Sequence, residues 1–361
     1  MDTTHFPHTP DTGRAAQALM DKIRGPLAAP GPGASSPLYT LLDIANRLEG
    51  DPHTAQQIWV VRDTLRPGHD GGQISTWPLW FSEKARASEK PLLYLTQSPT
   101  SAELCALANQ AADRGIVCND IESSPSRWPK GAHPWLPLWL AANHQCLPYD
   151  PACSEEARAI LLGALQALYV EGQPGFCYLT LHDEPAMEPT QVADPSAAFK
   201  GMYPVQGFDV DDSRPRIRLL GAGLSLREVR AAAHLLDERW GVQSEVWSCP
   251  SYTRLAREAT SAERWNRLNP GRPRKTAHLH HSLAGSQVPI VAVTGYGQYI
   301  AEQLASHVRA PYCALGADSL GDGQPVSRHW IVVSALTELA RQGSVDSALA
   351  DRALSDARRA H

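Results

Sequence analysis

Short apolar runs alternate with segments of helical periodicity along most of the chain. Continuous runs at Gln57 to Arg62 (QIWVVR) and Leu92 to Thr96 (LLYLT) predict buried strands, and Phe176 to Thr180 (FCYLT) predicts another. A helix is predicted from Ser154, because apolar residues then recur at spacings of three and four: Ala157, Ile160, Leu161, Ala164, Leu165 and Leu168. This alternation predicts an α/β fold with mainly parallel sheets flanked by helices.

The second half of the chain repeats the pattern. A strand at Arg216 to Leu220 precedes a glycine-rich turn and a helix, for which Ser225 and Glu228 predict a capping box and Gly241 predicts the end. Further strands are predicted at Val246 to Trp247, Ile290 to Thr294 and Tyr312 to Leu315, and helices at Tyr299 to Val308 and Ile331 to Arg341. We therefore expect a second, smaller parallel sheet with helices on its faces.

Composition shifts suggest the domain boundaries. Residues 1–36 are rich in Pro, Gly and Ala, which predicts a flexible, disordered lead-in with at most a short helix between Ala15 and Ile23. A first domain then spans residues 37–182. Residues 183–214 are rich in Pro, Asp and Gly and are interpreted as a linker, and residues 215–361 form the second domain.

Charge and composition exclude several classes of partner. The 361 residues carry a formal net charge of -5, with 43% hydrophobic and 20% charged residues, as is typical of soluble globular proteins. No basic stripe is present, so we expect no nucleic-acid partner. No apolar run approaches the roughly 20 residues of a membrane helix. The chain start lacks a secretory pattern and the seven cysteines are scattered, which favours reduced thiols in the cytoplasm.

Several strings resemble one enzyme family. The segment from Arg218 to Glu258 (RLLGAGLSLREVRAAAHLLDERWGVQSEVWSCPSYTRLARE) and the string ERWNRLNP from Glu263 to Pro270 resemble the C-terminal domain of the homodimeric pyruvate dehydrogenase decarboxylating component. Upstream, LPYDPA (Leu147 to Ala152) and FCYLTLHDEPAMEP (Phe176 to Pro189) are similar to the end of that family's pyrimidine-binding domain. The resemblance implies two transketolase-like domains, the first of them shortened.

The same resemblance implies thiamine diphosphate chemistry on a 2-oxo acid. The family binds the diphosphate through magnesium, using a Gly-Asp-Gly turn and a downstream Asn in a domain that precedes the part resembled here. Gly321, Asp322 and Gly323 match the turn, but no Asn follows Asn269. We therefore expect no metal site and no independent binding of the cofactor. His278, His280 and His281 are also not interpreted as metal ligands, because no Cys or acidic residue lies close in sequence.

Two residues are candidate catalytic groups by resemblance. Glu83, in the aromatic-rich segment WPLWFSEKARASEK, is the candidate carboxylate for activating the aminopyrimidine ring, and its alternative is a solvated carboxylate beside Lys84 and Arg86. His133 lies in SSPSRWPKGAHPWLPLWL, where the family carries its His-bearing active-site loop, and its alternative is a surface histidine.

Two functional hypotheses remain open at this point. The chain is one half of a split 2-oxo acid decarboxylase or dehydrogenase, with thiamine diphosphate bound only when a partner subunit supplies the diphosphate- and magnesium-binding domain. Alternatively, it is a catalytically inactive structural or regulatory relative that pairs with another subunit. In either case the resemblance implies self-association as a dimer.

Overall fold

The structure is a computed structural model that describes residues 8–25, 36–62, 89–101, 104, 114–185, 192, 194–209, 213–283, 287–321 and 326–360. The chain divides into two compact units, Met1–Phe199 and Lys200–His361. Each unit contains one five-stranded sheet with helices packed on it. The expected fold class, two α/β units with mainly parallel sheets, is confirmed.

The sheet of the first unit is entirely parallel, with the strand order β1-β2-β3-β5-β4. Its strands are β1 (Trp59–Arg62), β2 (Leu92–Thr96), β3 (Arg114–Asp120), β4 (Cys146–Tyr149) and β5 (Gly175–Leu181). The central strands are nearly continuous apolar runs because helices cover both faces of a parallel sheet. Sequence patterns predicted β1, β2 and β5, and the apolar run from Gly115 to Cys118 (GIVC) predicts β3. They missed β4, a short edge strand that contains Pro148.

Helices of the first unit are α1 (Pro10–Arg24), α2 (Pro37–Gly50), α3 (Pro52–Ala55), α4 (Trp135–Ala142), α5 (Ser154–Leu165) and α6 (Pro195–Lys200). The helix predicted from Ser154 is α5, which continues as a π-helical turn at Gln166–Val170. Its apolar face joins a core formed with α1, α2 and the sheet. The pattern of Thr100 and Glu103 also predicts a capping box and a helix through Asp113, most of which falls outside the described residues.

The described part of the expected lead-in contains helix α1. Thr9 caps the amino end of α1, and the apolar side of the helix is buried in the core: Ala16, Leu19, Met20 and Ile23. The short helix expected between Ala15 and Ile23 lies within α1, which begins at Pro10 and ends at Arg24. Residues 1–7 and 26–35 of the expected lead-in lie outside the described residues.

The sheet of the second unit has the order β10-β9-β7-β8-β6, and β6 is its antiparallel edge strand. The strands are β6 (Tyr203–Gln206), β7 (Arg216–Gly221), β8 (Gln243–Ser248), β9 (Ile290–Val293) and β10 (Tyr312–Leu315). Strand β6 lies within the segment expected to be a linker, so that part of the segment belongs to the second sheet. Its Pro204 is tolerated because an edge strand has fewer backbone donors to satisfy.

Helices of the second unit are α7 (Ser225–Trp240), α8 (Tyr252–Leu268), α9 (His278–Ser282), α10 (Tyr299–Glu302), α11 (Arg328–Arg341) and α12 (Ser347–Ala360). The capping box predicted for Ser225 and Glu228 is wrong, since no side chain caps α7. Instead, the Glu228 carboxylate accepts hydrogen bonds from the Arg328 guanidinium at 2.7 and 3.0 Å. Arg328, which is distant in the sequence, thus binds the carboxylate of Glu228 that the local pattern assigned to the capping of α7.

Helix α4 is a second difference from the sequence-based interpretation. Pro129, Pro134 and Pro137 separate Trp128, Trp135 and Trp139 in the sequence, which argues against a helical stripe of indoles. In the structure, however, Trp135 and Trp139 both lie on α4, and Pro137 occupies its first turn. A proline there lacks only a backbone N–H that has no partner within the helix. No helix among the described residues has the length and apolar composition required to cross a membrane.

The burial of α1 gives a test of its structural role. We expect Leu19→Ala to lower the free energy of unfolding by about 2–5 kcal/mol, because Leu19 is fully buried and the truncation leaves a cavity. The control is Gln17→Ala on the exposed side of the same helix, with an expected change below about 0.5 kcal/mol. Urea denaturation followed by tryptophan fluorescence measures both. Equal stability of the two variants would contradict the packing of α1 in the core.

Candidate functional site at the carboxyl edge of the first sheet

Polar residues gather where the parallel strands of the first sheet end. Strand β3 ends at Asp120, Asp150 directly follows β4 and His182 directly follows β5, and all three are at least nine-tenths buried. Because the strands are parallel, their carboxyl ends meet at one edge of the sheet, which is where open α/β sheets bind their ligands. This edge is therefore the candidate functional site of the first unit.

A buried ion cluster occupies this edge. The Lys130 ammonium group lies 2.7 Å from Glu122 Oε1 and 2.8 Å from Asp150 Oδ1. The three side chains are 2%, 7% and 8% exposed, so water does not screen the interaction. We call these residues, Glu122, Lys130 and Asp150, the lysine cluster. Two carboxylates share one ammonium group, and the cluster is therefore acidic overall.

The lysine cluster shifts the protonation of all its members. Burial raises the pKa of Glu122 to about 7, against the opposing attraction of Lys130. Burial likewise raises the pKa of Asp150 although Lys130 opposes it. For Lys130, burial alone would lower the pKa, but the two carboxylates outweigh it and the pKa lies above its usual value. A carboxyl group that titrates near neutral pH can donate or accept a proton under physiological conditions.

The backbone around Lys130 is held in an uncommon conformation. Lys130 has a φ of 57° and Gly131 a φ of 68°, so two successive residues are left-handed. A side chain at Gly131 would put its Cβ 1.7 Å from the carbonyl oxygen of Ile121, which explains the glycine. A left-handed non-glycine residue costs about 1–2 kcal/mol. In this conformation the Lys130 side chain points into the cluster and makes both ion pairs.

A neutral hydrogen-bond network supports the strand ends beside the cluster. The Asn119 side chain donates to Ser98 O at 2.7 Å and to Tyr178 Oη at 2.9 Å, and it accepts from Ser98 N at 2.8 Å. Gln97 donates to Asp120 Oδ2 at 2.7 Å. These bonds connect the ends of β2, β3 and β5, so the edge is a fixed arrangement of polar groups.

His133 lies in the same loop as Lys130 but outside the cluster. Its ring is packed edge-on against Trp128, with 4.9 Å between the ring centroids. Its Nδ1 accepts a hydrogen bond from the backbone N–H of Trp135 at 3.3 Å, which places the proton of a neutral imidazole on Nε2. No hydrogen bond or ion pair joins its ring to Glu122, Lys130 or Asp150. His133 thus remains a predicted catalytic residue without an acid or base partner in this cluster.

The other candidate groups are placed as follows. Glu83, Asp322 and Gly323 lie outside the described residues. His278 and His280 are engaged by backbone carbonyls, with Nε2 atoms 2.8 Å from Met202 O and 3.0 Å from His307 O.

The lysine cluster was missed in the sequence because its members lie in three separate segments. Lysine is also rarely buried, so Lys130 read as a surface residue in a Pro- and Trp-rich loop. Two signals were available in the sequence. Glu122 and Asp150 each lie just after the end of a strand, β3 and β4 respectively, and Gly131 directly follows Lys130. Neither signal specifies that the loop turns inward.

The described residues do not fit the magnesium diphosphate part of thiamine diphosphate. No group of three His, Cys, Asp or Glu side chains in the described ranges is placed to hold a metal ion. The buried carboxylates of the candidate site are bound to Lys130, which competes with a cation for them. No catalytic step through this cofactor can therefore be derived from these residues alone.

The buried lysine gives a first test of the cluster. We expect Lys130→Met to lower the free energy of unfolding by about 3–5 kcal/mol at pH 8, because it leaves two buried carboxylates without their cation. Lys90→Met is the control, since Lys90 is partly exposed and only donates to a backbone carbonyl. Urea denaturation compares the two. A loss of similar size in both variants would contradict the assigned role of Lys130.

The raised pKa of Glu122 gives a second test. The folded state holds a proton on this carboxyl more tightly than the unfolded state, so the associated stability is present below about pH 4.5 and is lost as the pH rises through about 7. We expect the stability of Glu122→Gln relative to the unsubstituted protein to increase by roughly 1–3 kcal/mol between pH 5 and pH 8. Glu155→Gln, on the exposed side of α5, should show no such trend. Parallel pH profiles for Glu122→Gln and the unsubstituted protein would rule out the shift.

Several known proteins are similar to this chain in sequence or in fold. Residues 201–330 match the transketolase-like TK C-terminal domain family. The pyruvate dehydrogenase E1 component of Cupriavidus necator is 35% identical over 218 residues, which are 58% of this chain and 24% of the relative. The E1 component of Escherichia coli K12 is 34% identical over 213 residues, 56% of this chain and 24% of the relative. The match thus spans about a quarter of the length of these relatives.

Solved structures of transketolases have the same fold. The transketolase from Leishmania mexicana superposes with a TM-score of 0.58 at 15% identity and covers 91% of this chain and 49% of that protein. A split gene transketolase, described as an inactive β4 tetramer, has a TM-score of 0.50 at 14% identity and covers 81% of this chain and 95% of that one. The chain is therefore similar in sequence to pyruvate dehydrogenase E1 components over about 210–220 residues, and its residues 201–330 match the transketolase-like C-terminal domain family.

Proposed function

We propose that this chain is one subunit of a split thiamine-diphosphate-dependent 2-oxo acid decarboxylase or dehydrogenase. A second polypeptide would supply the diphosphate- and magnesium-binding domain. The observation that carries the proposal is the pairing of a pyruvate dehydrogenase E1-like sequence with a described residue set that does not fit the magnesium diphosphate. The split gene transketolase supports it, because nearly the whole of that chain aligns with this one.

The first unit would form the pyrimidine side of a shared site. Its carboxyl edge holds buried acidic groups on a fixed sheet, and Glu122 titrates near neutral pH. Glu83 remains the candidate for the carboxylate that activates the aminopyrimidine, and His133 remains the candidate for proton handling on the substrate side. A bound cofactor would supply the electron sink for decarboxylation. The chain's own contribution would be to orient the cofactor, hold protons and exclude water.

Cofactor binding tests the proposal directly. Thiamine diphosphate with Mg²⁺ is titrated by calorimetry into the purified chain alone, and into the chain mixed with a co-encoded polypeptide that carries the Gly-Asp-Gly turn and its downstream Asn. We expect saturable binding only in the mixture, because the isolated chain lacks a fitting ligand set among its described residues. Saturable binding by the isolated chain, or none in the mixture, would overturn the proposal.

Substitution of the candidate residues gives a second readout. In the active mixture, Glu83→Gln should lower 2-oxo acid decarboxylation by about a hundredfold or more, and His133→Ala by about tenfold to a hundredfold, as for groups that move protons. The exposed His144 is the control, and His144→Ala should leave the rate unchanged. Full activity of both candidate variants would remove them from the site.

A second candidate function is a non-catalytic subunit that pairs with a complete E1 component. It is favoured by the lysine cluster, because a loop that bears an active-site His in the family here directs Lys130 between two carboxylates. Co-purification with an intact E1 component, together with the absence of decarboxylation in every split mixture, would support it. Activity in a split mixture would exclude it.

A further inference from the structure

The second unit contains a pocket that is separate from the carboxyl edge of its own sheet. It has a volume of about 440 Å³, within the range of small-molecule sites. Arg218 of β7 and Ile290 of β9 form part of its lining, and these residues are paired near the amino ends of their strands. Apolar side chains complete the inner lining: Ala262, Leu279, Leu283 and Ala310. We call it the amino-end pocket.

Positive charge dominates the opening of the amino-end pocket. Arg274, Lys275 and Arg309 line it and are exposed, whereas Glu263 is the one carboxylate among the described lining residues. No ion pair or hydrogen bond occupies the guanidinium of Arg274 or Arg309 within the described ranges. Oε1 of Glu263 lies 2.9 Å from Nδ1 of His307, so the carboxylate of Glu263 faces that ring. An excess of cations therefore faces the cavity.

Charge inside the pocket is already balanced. Arg218 donates from Nε to Glu245 Oε2 at 2.5 Å and from Nη1 to Leu283 O at 3.0 Å. This buried arginine is thus neutralised by its own partner and shapes the floor. The uncompensated groups are those at the opening, where a ligand would meet them first.

The segment that bears two of the cations is fixed. Asn266 on α8 donates from Nδ2 to Lys275 O at 2.9 Å and accepts from Lys275 N at 2.8 Å. The Lys275 ammonium group also lies 4.9 Å from the centre of the Trp265 ring. On the other side, His280 Nε2 contacts His307 O at 3.0 Å and holds the turn that precedes Arg309. The cations are presented by anchored segments, which lowers the entropy lost on binding.

We propose that the amino-end pocket binds a phosphorylated small molecule. Arg274 and Arg309 would hold the phosphate group through their planar guanidinium groups, whose geometry matches that of phosphate oxygens, and Lys275 would add a third positive charge. The apolar inner lining would accommodate the rest of the ligand. This inference does not rest on the proposed function, because the pocket lies wholly within the second unit.

Anion binding to the purified chain tests this proposal. Inorganic phosphate, inorganic pyrophosphate and succinate are each titrated by calorimetry at constant, low ionic strength. We expect both phosphate probes to bind, pyrophosphate more tightly because it carries more charge, and succinate to bind at least tenfold more weakly than pyrophosphate. Succinate binding as tight as that of pyrophosphate would overturn the assignment to phosphate, and a lack of binding by all three would overturn the site.

Matched charge variants locate the binding. Arg274→Ser with Arg309→Ser should weaken pyrophosphate binding at least tenfold. The control is Arg264→Ser with Arg267→Ser, which removes the same charge from exposed positions of α8 that do not line the pocket, and it should change the affinity less than twofold. Equal loss in both double variants would mean general attraction to a basic surface and would reject the pocket. Thermal unfolding checks that both double variants are folded. We expect little change, because substitutions at such exposed positions rarely alter the free energy of unfolding by more than about 0.5 kcal/mol.

Discussion

Parallel pairing of β3 with β5, and of β5 with β4, is the constraint on which the first unit depends. It places the ends of these strands at one edge and brings acidic residues from separate segments to one buried location. Two carboxylates there would repel each other without a cation. Lys130 supplies that cation from a loop in a left-handed turn. Sheet topology thus brings the two carboxylates together, and the single side chain of Lys130 compensates their repulsion.

The lysine cluster also changes how the relationship to the E1 component is interpreted. The E1 relative from Cupriavidus necator is 35% identical to this chain over 218 residues, and residues 201–330 of this chain match the transketolase-like TK C-terminal domain family. In the loop that contains both residues, this chain packs His133 between the indoles of Trp128 and Trp135 and directs Lys130 inward. A fold can be retained while its polar edge is rebuilt, because function depends on individual sites.

Polar groups in the two units are used in different ways. In the first unit they are buried, paired and set at the carboxyl ends of strands. In the second unit the cations of the amino-end pocket are exposed and anchored by the backbone contacts of Asn266. Burial makes the first arrangement sensitive to pH, since a carboxyl group without full compensation retains its proton. Exposure leaves the cations of the second arrangement accessible to solutes, which suits capture of an anion.

The sequence by itself determined the α/β class, most strands of both sheets and the relationship to the E1 component, because apolar runs and helical periodicity are local signals. Only the tertiary structure decided that α1 packs in the core, that Glu228 binds Arg328 instead of capping its helix, and that Lys130 joins Glu122 and Asp150. Each of these depends on residues far apart in the chain. The interaction energy of two charged side chains depends on their separation and burial and not on their positions in the sequence. The partner of a charged side chain is therefore determined only when folding has set these distances.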